Sequence, residues 1–465
     1  MASVKRAAVL VAVAAAAAAV LGAWHSGLFH RFEVEGVRIN PRAAVRADRE
    51  YTLVLWEETV PAPWAPQPYQ QFVQDALVEF VERYPNVRVE VEWLDPATAP
   101  GRLAAALAAG HPPDVYGAAK AAWAWPLPWQ VPASPYRTPE DEQAPVFLAA
   151  AEAGLTAGGA LWGWPRGLWW EGWLAQRDAL VQAGFLEAGD GAAWLREWRY
   201  DAVLAATGAS PAAITVALDA SDADVFLQLL HAFVPGAAAD AAVPWTEADA
   251  ARAADFVQRL LSSQAGGRDA SALSRSRFVA LAAGDVQVVA PVNPYSAQSA
   301  LRRRPDHYVA VPPPAPPGLT PTLTVTPSAY LVFRRSAYLG DDHTRAAVEL
   351  ARFLAAKSEA WLVEAVGLLP ASEASWEVWH QRSPWNDTTR RILSEASRAA
   401  AVAWPPADEA ANLRAALQPL WQTFANGGAS PEQFAASLRS LLERLRQPSG
   451  SPPPAGAAPS PRADG

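Results

Sequence analysis

Two adjacent carboxylates, Glu57 and Glu58, stand directly after the apolar run Tyr51-Thr-Leu-Val-Leu-Trp56. An ionised carboxylate only accepts hydrogen bonds, so at the end of a strand the pair suits a ligand rich in hydroxyl donors. Trp56 beside them offers a ring face on which the C–H surface of a sugar can stack. Asp114 follows Pro112-Pro113, where it is either another acceptor or a turn-forming residue. The segment Trp162-Gly-Trp-Pro-Arg-Gly-Leu-Trp-Trp-Glu-Gly-Trp173 concentrates aromatic rings around two charges. Side chains alternate across a strand, so these rings cannot all be core, and Trp164, Arg166, Trp169 and Glu171 are candidates for ligand contact. Asn293 and Tyr295, after the apolar run Val286 to Pro291, and Trp404, in a late loop, complete the candidate set.

Other chemistries find little support. The histidines (His25, His30, His111, His231, His307, His343 and His380) are scattered without metal-ligand spacing, so no metal is expected. No nucleophile elbow, phosphate-binding loop or dinucleotide fingerprint is present, so no catalytic residue and no cofactor is expected. Glu57 and Glu58 could suggest a glycoside hydrolase. That chemistry needs two carboxyl groups flanking one bond at ~5–10 Å, and neighbours on a strand point oppositely. A secreted hydrolase is therefore a secondary alternative to a binding protein. The chain has no cysteine, which excludes disulfides, thiolate metal sites and cysteine nucleophiles. Its formal net charge is -9 and it carries no dense basic run, against nucleic acid as a partner.

The elements that must position these residues follow from periodicity. At 465 residues the chain exceeds what one core usually holds, so at least two lobes are expected. Tyr51–Trp56 reads as a strand, Val73, Ala76, Leu77, Phe80 and Tyr84 mark a helix, and Val87, Val89, Val91 and Trp93 alternate as a second strand. Leu103–Ala109 reads as a helix ended by Gly110, and Asp114–Tyr116 as a third strand. This order implies a parallel α/β sheet, whose ligands bind beyond the carboxyl ends of the strands. Ile214–Leu218, Val286–Pro291 and Leu331–Phe333 are later strand candidates, and Leu350, Phe353, Leu354, Trp361 and Ala365 form one helix face stopped at Gly367.

Five segments, in order, resemble the family 1 extracellular solute-binding proteins, the maltodextrin-binding class. They are Phe80-Val-Glu-Arg-Tyr-Pro-Asn-Val-Arg-Val-Glu-Val-Glu-Trp93; Leu103-Ala-Ala-Ala-Leu-Ala-Ala-Gly-His-Pro-Pro-Asp-Val115; Leu161-Trp-Gly-Trp-Pro165 with Arg177-Asp-Ala-Leu-Val-Gln-Ala-Gly184; Phe278–Val289; and Ala347–Ser372. The resemblance runs from Tyr51 to roughly Leu445. It departs at Ala175-Gln176, where the family often has tyrosine–asparagine, and at Asn293-Pro-Tyr295, where it often has tryptophan.

The resemblance implies a two-lobe, periplasmic-binding-protein-like fold of type II, each lobe a mostly parallel sheet flanked by helices, with the ligand held between them. It implies crossings near Arg166, Val309 and Phe333, with an N-lobe of 51–166 and 309–332 and a C-lobe of 167–308 and 333–446. Residues 25–50 read as a stalk and 447–465 as a Pro/Ser-rich disordered tail. The implied function is extracytoplasmic capture of a small polar solute, with a sugar or oligosaccharide leading, for delivery to the permease subunits of an ABC importer. The implied state is a monomer. A membrane-tethered sensory or adhesion protein of the same fold is the first alternative.

Lys5 and Arg6 precede the uncharged, alanine-rich run Ala7–Trp24, which is close to the ~20 residues needed to span a bilayer. Without cysteine it cannot be a lipoprotein leader. Read as an anchor, it keeps the chain on the outer side of the membrane; cleavage after Gly22 would release it. Protein from its native host is expected in the membrane fraction with residues 7–24 intact by mass. A soluble species beginning near Ala23 would show that the segment is a cleaved signal.

Overall fold

In a computed structural model, residues 32–446 are described apart from residues 35, 122, 124, 139–146, 188–194, 208–212, 220–221, 234–244, 264–276, 398–400 and 403–406. Trp404 and the segments 1–31 and 447–465 therefore lie outside the described residues. Among those described, no helix is long and apolar enough to cross a membrane.

The chain opens with an antiparallel hairpin, β1 (Phe32–Val34) and β2 (Val37–Ile39). The first lobe then follows the expected order: β3 (Tyr51–Glu58), α1 (Tyr69–Arg83), β4 (Val87–Leu94), α2 (Ala99–Ala108) and β5 (Val115–Ala118). Both β4 and β5 pair with β3 in parallel. The alternation of Val87, Val89 and Val91 with Arg88, Glu90 and Glu92 becomes the inner and outer faces of β4, and Val73, Ala76, Leu77 and Phe80 become the buried stripe of α1.

After β6 (Gln130–Val131), α3 (Ala149–Ala153), β7 (Thr156–Ala157) and β8 (Ala160–Leu161) comes the strand on which the architecture turns, β9 (Trp164–Gln176). Of its thirteen residues only Glu171 and Gln176 are not fully buried. Its first half belongs to the first lobe and its second half to the next. The second lobe continues with α4 (Arg177–Gln182), α5 (Tyr200–Ala206), β10 (Val216–Leu218), α6 (Asp224–His231), α7 (Glu247–Ser263), α8 (Arg277–Ala283), β11 (Val288–Val292), α9 (Pro294–Arg303) and β12 (Tyr308–Val311). Here β10 and β11 are parallel, whereas β11 and β12 both run antiparallel to β9. This sheet is more mixed than the sequence implies, because β9 enters it from the other lobe.

The return strand is β13 (Thr324–Phe333), antiparallel to β9 from Thr324↔Glu171 to Tyr330↔Trp164 and antiparallel to β5 from Ala329 to Val332. The register between β9 and β13 slips beside Gly167, whose φ of 154° favours glycine. Next comes α10 (Asp341–Ala365), then α11 (Ser375–Arg382), α12 (Asp387–Ser397), β14 (Ala401–Val402), α13 (Ala407–Ala425) and α14 (Pro431–Arg446).

Three boundaries differ from expectation. Val309 lies within the second lobe, paired with Ala175, and the return crossing comes later, where Pro327 pairs with Leu168. The chain does not leave the first lobe at Phe333: α10 contributes Leu350, Leu354 and Leu362 to the core that holds Leu53, Val73 and Val115. The final crossing is instead at Gly367–Leu369, where Leu168 and Leu369 exchange backbone hydrogen bonds of 2.8 and 3.0 Å. Helical periodicity reveals that a face is buried, not which lobe buries it. Nor do residues 36–50 form a stalk. Ile39 sits in the first lobe's core, Asn40 donates to Asp341, Arg345 donates to the Pro41 carbonyl, and Arg49 pairs with Asp342 at 2.8 Å.

At the last crossing Gly367 has φ 79°, and its carbonyl accepts from the indoles of Trp170 and Trp385, each at 3.1 Å. A Cβ there would overlap the Trp385 ring. Gly367→Ala should lower unfolding free energy by about 2–4 kcal/mol, combining left-handed strain with overpacking. Gly184→Ala, also at φ 79° but facing open space, should cost about 1 kcal/mol. Equilibrium urea denaturation of the two variants separates the strain from the clash.

Candidate functional site

The carboxyl ends of the first lobe's parallel strands point toward the second lobe. β11 runs antiparallel to β9 with β10 parallel to it, so the carboxyl ends of β10 and β11 point back. Two sets of strand ends therefore face one cleft, floored by the middle of β9 and β13.

At the cleft's root lies a buried ion pair. Glu57 and Arg166 meet at 2.8 Å with neither side chain exposed. Tyr69 donates to the same Glu57 oxygen at 2.6 Å and accepts from Arg166 at 2.5 Å. Arg166 also donates to Ser328 Oγ at 2.9 Å and to the Ala118 carbonyl at 3.2 Å, and its guanidinium lies 4.4 Å from the Tyr330 ring centre. Burial opposes the Arg166 charge, but Tyr69, Glu57 and Tyr330 outweigh it and hold the group protonated. Glu57 and Arg166 are thus occupied within the fold, contrary to the expectation that they face the ligand.

Glu58 turns away from this pair. It accepts from the Tyr116 hydroxyl and, at 2.8 Å, from the Ala119 amide. Burial pushes its carboxyl up to about 7, against the opposing effect of those two donors and the Arg166 charge. It lies just beneath the cleft wall.

Three further expectations are corrected. Asp114 lies at the amino end of β5, remote from the cleft; it accepts from the Val54 amide at 2.8 Å, Arg335 at 3.1 Å and His343 at 3.0 Å. Trp56 packs on the outer layer, with the Arg102 guanidinium 5.0 Å from its ring centre. Trp164 belongs to the first lobe's core. Each is claimed by neighbours inside the lobe, and Trp404 is outside the described residues.

Of the remaining candidates, Glu171, Asn293 and Tyr295 lie at the strand ends that face between the lobes. Trp169, expected at the ligand, is buried in the first lobe's core like Trp164, with the Lys120 ammonium 5.6 Å from its ring centre, and Lys120 reaches Glu171 at 3.5 Å. On the second lobe Asn293 caps α9 through a reciprocal box with Ser296, which fixes the following Tyr295 at the rim. Tyr295 is exposed, and its ring faces Trp64 of the opposite lobe with centres 5.8 Å apart. Sequence reasoning missed Trp64 and Lys120, and also Asp219 and Asp222, which follow the carboxyl end of β10. Asp219 pairs with Arg277. Burial raises the Asp222 carboxyl to about 6, helped by Asp224, Asp219 and Glu171. The strand-end rule could have found Asp219, because Ile214–Leu218 was legible as a strand. Trp64 sits in a proline-rich turn with no periodicity to place it. The cleft thus combines ring faces from both lobes with carboxylate acceptors from the second-lobe side. Among the described residues no cluster of three or more His, Asp or Glu could hold a metal ion.

No protein-family model matches the chain, and no curated protein matches it in sequence. Solved structures do share its fold. The sugar-binding protein MalE of Xanthomonas citri superposes with a TM-score of 0.66 at 17% identity, covering 85% of this chain and 97% of that one. A cyclo/maltodextrin-binding protein complexed with maltotetraose gives 0.62 at 15% identity, covering 86% and 98%. The GacH receptor of Streptomyces glaucescens, solved unliganded and with acarbose, gives 0.60 at 18% identity, covering 86% and 100%. The chain has the two-lobe α/β fold of these proteins.

Two predictions follow from the buried groups at the root. Removing one partner of the ion pair, as in Glu57→Gln or Arg166→Met, should destabilise by about 3–5 kcal/mol, because the other charge is left buried. The double variant should recover part of that loss, and a double-mutant cycle in urea measures it. For Glu58 the folded carboxyl, near 7, holds its proton over a range where the unfolded one, near 4.5, has lost it. Its contribution to stability is complete below about pH 4.5 and disappears as pH rises through 7, a change of about 3 kcal/mol at most. Asp222 adds the same sign over a narrower window. Glu58→Gln should flatten the fall in stability between pH 5 and 8; an unchanged slope would refute this account of Glu58.

Proposed function

We propose that this chain is an extracytoplasmic solute-binding component of an ABC importer, capturing a sugar or oligosaccharide in the cleft and presenting it to permease subunits. The observation that carries the reading is the meeting of Trp64 and Tyr295 across two lobes of this fold, with ring centres 5.8 Å apart. Proteins sharing the fold include ones solved with maltotetraose, maltotriose, maltose and acarbose. Those neighbours are binding proteins, not enzymes.

The chemistry supports the same ligand class. Pyranose rings present apolar C–H faces to aromatic rings and hydroxyl donors to carboxylates, and Tyr295, Trp64, Glu171 and Asp222 offer both kinds of partner. Glu57 and Glu58 do not form a hydrolytic pair, since one is consumed by Arg166 and the other by Tyr116 and Ala119. Binding without turnover is the activity this site supports. Ligand that touches both lobes favours the closed arrangement by the difference in its contacts between the two states, which gives a transporter its signal of loading.

A tethered sensor of the same fold is the second reading. The packing of residues 36–50 on the first lobe favours it by leaving only a short spacer after the apolar run.

In a thermal-shift screen with maltodextrins, acarbose and other polyols, a ligand at 100 times its Kd should add ~2.7 kcal/mol of stability. Tyr295→Ala and Trp64→Ala should each weaken binding by roughly tenfold through lost stacking, with little effect on the unliganded melting temperature. Bound ligand should also shrink the radius of gyration in solution scattering. Cleavage of the oligosaccharides in the screen would replace this reading with the hydrolase.

A further inference from the structure

The pole of the first lobe remote from the cleft carries a second concavity, of about 490 Å³, walled by the β1–β2 turn, the loop before β6 and the segment after β13. Its lining includes Arg38, Trp129, Arg334, Arg335, Tyr338 and Asp341. Two large aromatics are open to solvent there, Trp129 at 42% and Tyr338 at 47%, with Leu339 beside them at 40%. Trp129 has φ 64°, a left-handed backbone that is uncommon for a bulky side chain, and its carbonyl accepts from the Arg334 amide at 2.8 Å. The fold thus holds an exposed indole in a strained conformation, which is a pointer to use. The Arg334 guanidinium lies 4.1 Å from the Tyr338 ring centre and also donates to the Arg38 carbonyl. The lining holds three guanidinium groups, of which Arg335 is paired with the buried Asp114 at 3.1 Å, leaving Arg38 and Arg334 beside Asp341 on a chain whose formal net charge is -9.

The chain's path supplies the independent observation. β2 lines this concavity, and only residues 25–31 separate β1 from the apolar run Ala7–Trp24. Seven residues reach at most roughly 25 Å, so an anchor at 7–24 keeps this pole, rather than the cleft or the second lobe, next to the bilayer. Tryptophan and tyrosine settle at the level of lipid headgroups, and clustered arginines are attracted to anionic headgroup phosphates.

We infer that this pole is a membrane-docking face that engages anionic phospholipid headgroups through Arg38 and Arg334, with Trp129 and Tyr338 at the interface. The contact is electrostatic and reversible. Docked, it holds the cleft away from the bilayer and open to solute, and its release frees the lobe to turn toward a permease in the same membrane. The inference rests on the reading of residues 7–24 as an anchor, and the test separates the two.

Absence of cysteine allows single-site labelling. Full-length protein carrying Ser336→Cys, labelled with an environment-sensitive fluorophore, is reconstituted into phosphatidylcholine vesicles with or without about a third phosphatidylglycerol. Ser262→Cys, exposed on the second lobe, serves as the control site. The expected result is a blue-shifted, quencher-protected probe at residue 336 only in the anionic vesicles, reversed by salt. Arg38→Glu, an exposed position that should fold normally, should cut the docked fraction by roughly tenfold or more. Identical spectra in both vesicles, or an equal shift at residue 262, would overturn the inference. If the protein proves soluble and lacks residues 7–24, the anchor reading fails. The face is then tested by flotation of that soluble protein with the same vesicles: Arg38-dependent flotation with phosphatidylglycerol upholds it, and none overturns it.

Discussion

The Glu57–Arg166 pair is the constraint around which the molecule is arranged. Two charges without solvent exposure are costly unless nearly every donor and lone pair is matched; here the matching groups come from five elements, and Glu57 Oε2 alone among the pair's polar atoms lacks a partner. Glu57 is on β3, Tyr69 begins α1, Ala118 ends β5, Arg166 is on β9 and Ser328 on β13. Gly117 completes the arrangement, since a Cβ there would overlap the Glu57 carboxylate. Both long lobe-crossing strands are therefore fastened to the first lobe at one point. Right beside it, between Ser328 and Ala329, the register slips, and Gly167, with φ 154°, follows Arg166 on β9. A rigid clamp beside a soft step is the layout a hinge needs: rotation is confined to a few residues, and the first lobe's core is not asked to deform.

That clamp also decides which polar groups are left for a ligand. Glu57 and Arg166 neutralise each other, and Glu58 is held by Tyr116 and Ala119. The first lobe consequently presents Trp64 and Lys120, while Glu171, Asp219, Asp222 and Tyr295 come from the second-lobe side. The cleft is chemically lopsided, with carboxylates concentrated on one wall. Burial raises the carboxyl of Asp222, and Asp224, Asp219 and Glu171 add to the effect.

Much of this was legible in the sequence. The period-two alternation of Val87–Trp93, the helical stripe of Val73–Phe80 and the strand ahead of Asp219 all formed as their spacing required. Glu171, Asn293 and Tyr295 lie near strand ends whose direction the βαβ order dictates, whereas strand alternation did not put Trp169 outside the core, because β9 is buried on both faces. Asp114 and Glu57 misled for a common reason. A carboxylate beside a strand looks equally available whether its partner is a ligand or a distant arginine, and Arg335 and Arg166 lie far off in the chain. The α10 helix misled differently: its apolar face was correct, but the partner lobe depends on where the chain crosses, and that crossing is marked only by Gly367 and two indoles on its carbonyl.

The geometry also explains what the many buried tryptophans do. Trp170 and Trp385 lock the final crossing at Gly367, and Trp173 packs edge-on to Trp198 in the second lobe's core. Along β9, alternation then turns Trp169 to the opposite face from Trp170, into the first lobe's core beneath Lys120. Three consecutive pairs on β13, Thr324 with Glu171, Val325 with Trp170 and Thr326 with Trp169, carry this pattern up to the hinge step. The residues that fix the crossing and those that face the cleft are thus neighbours on one strand. A rotation at Gly167 moves Glu171 with the second lobe, while Lys120 stays with the first. The Lys120–Glu171 contact, at 3.5 Å and half exposed on the lysine side, is weak enough to yield. Opening and closing can therefore proceed across it without disturbing the buried pair beneath.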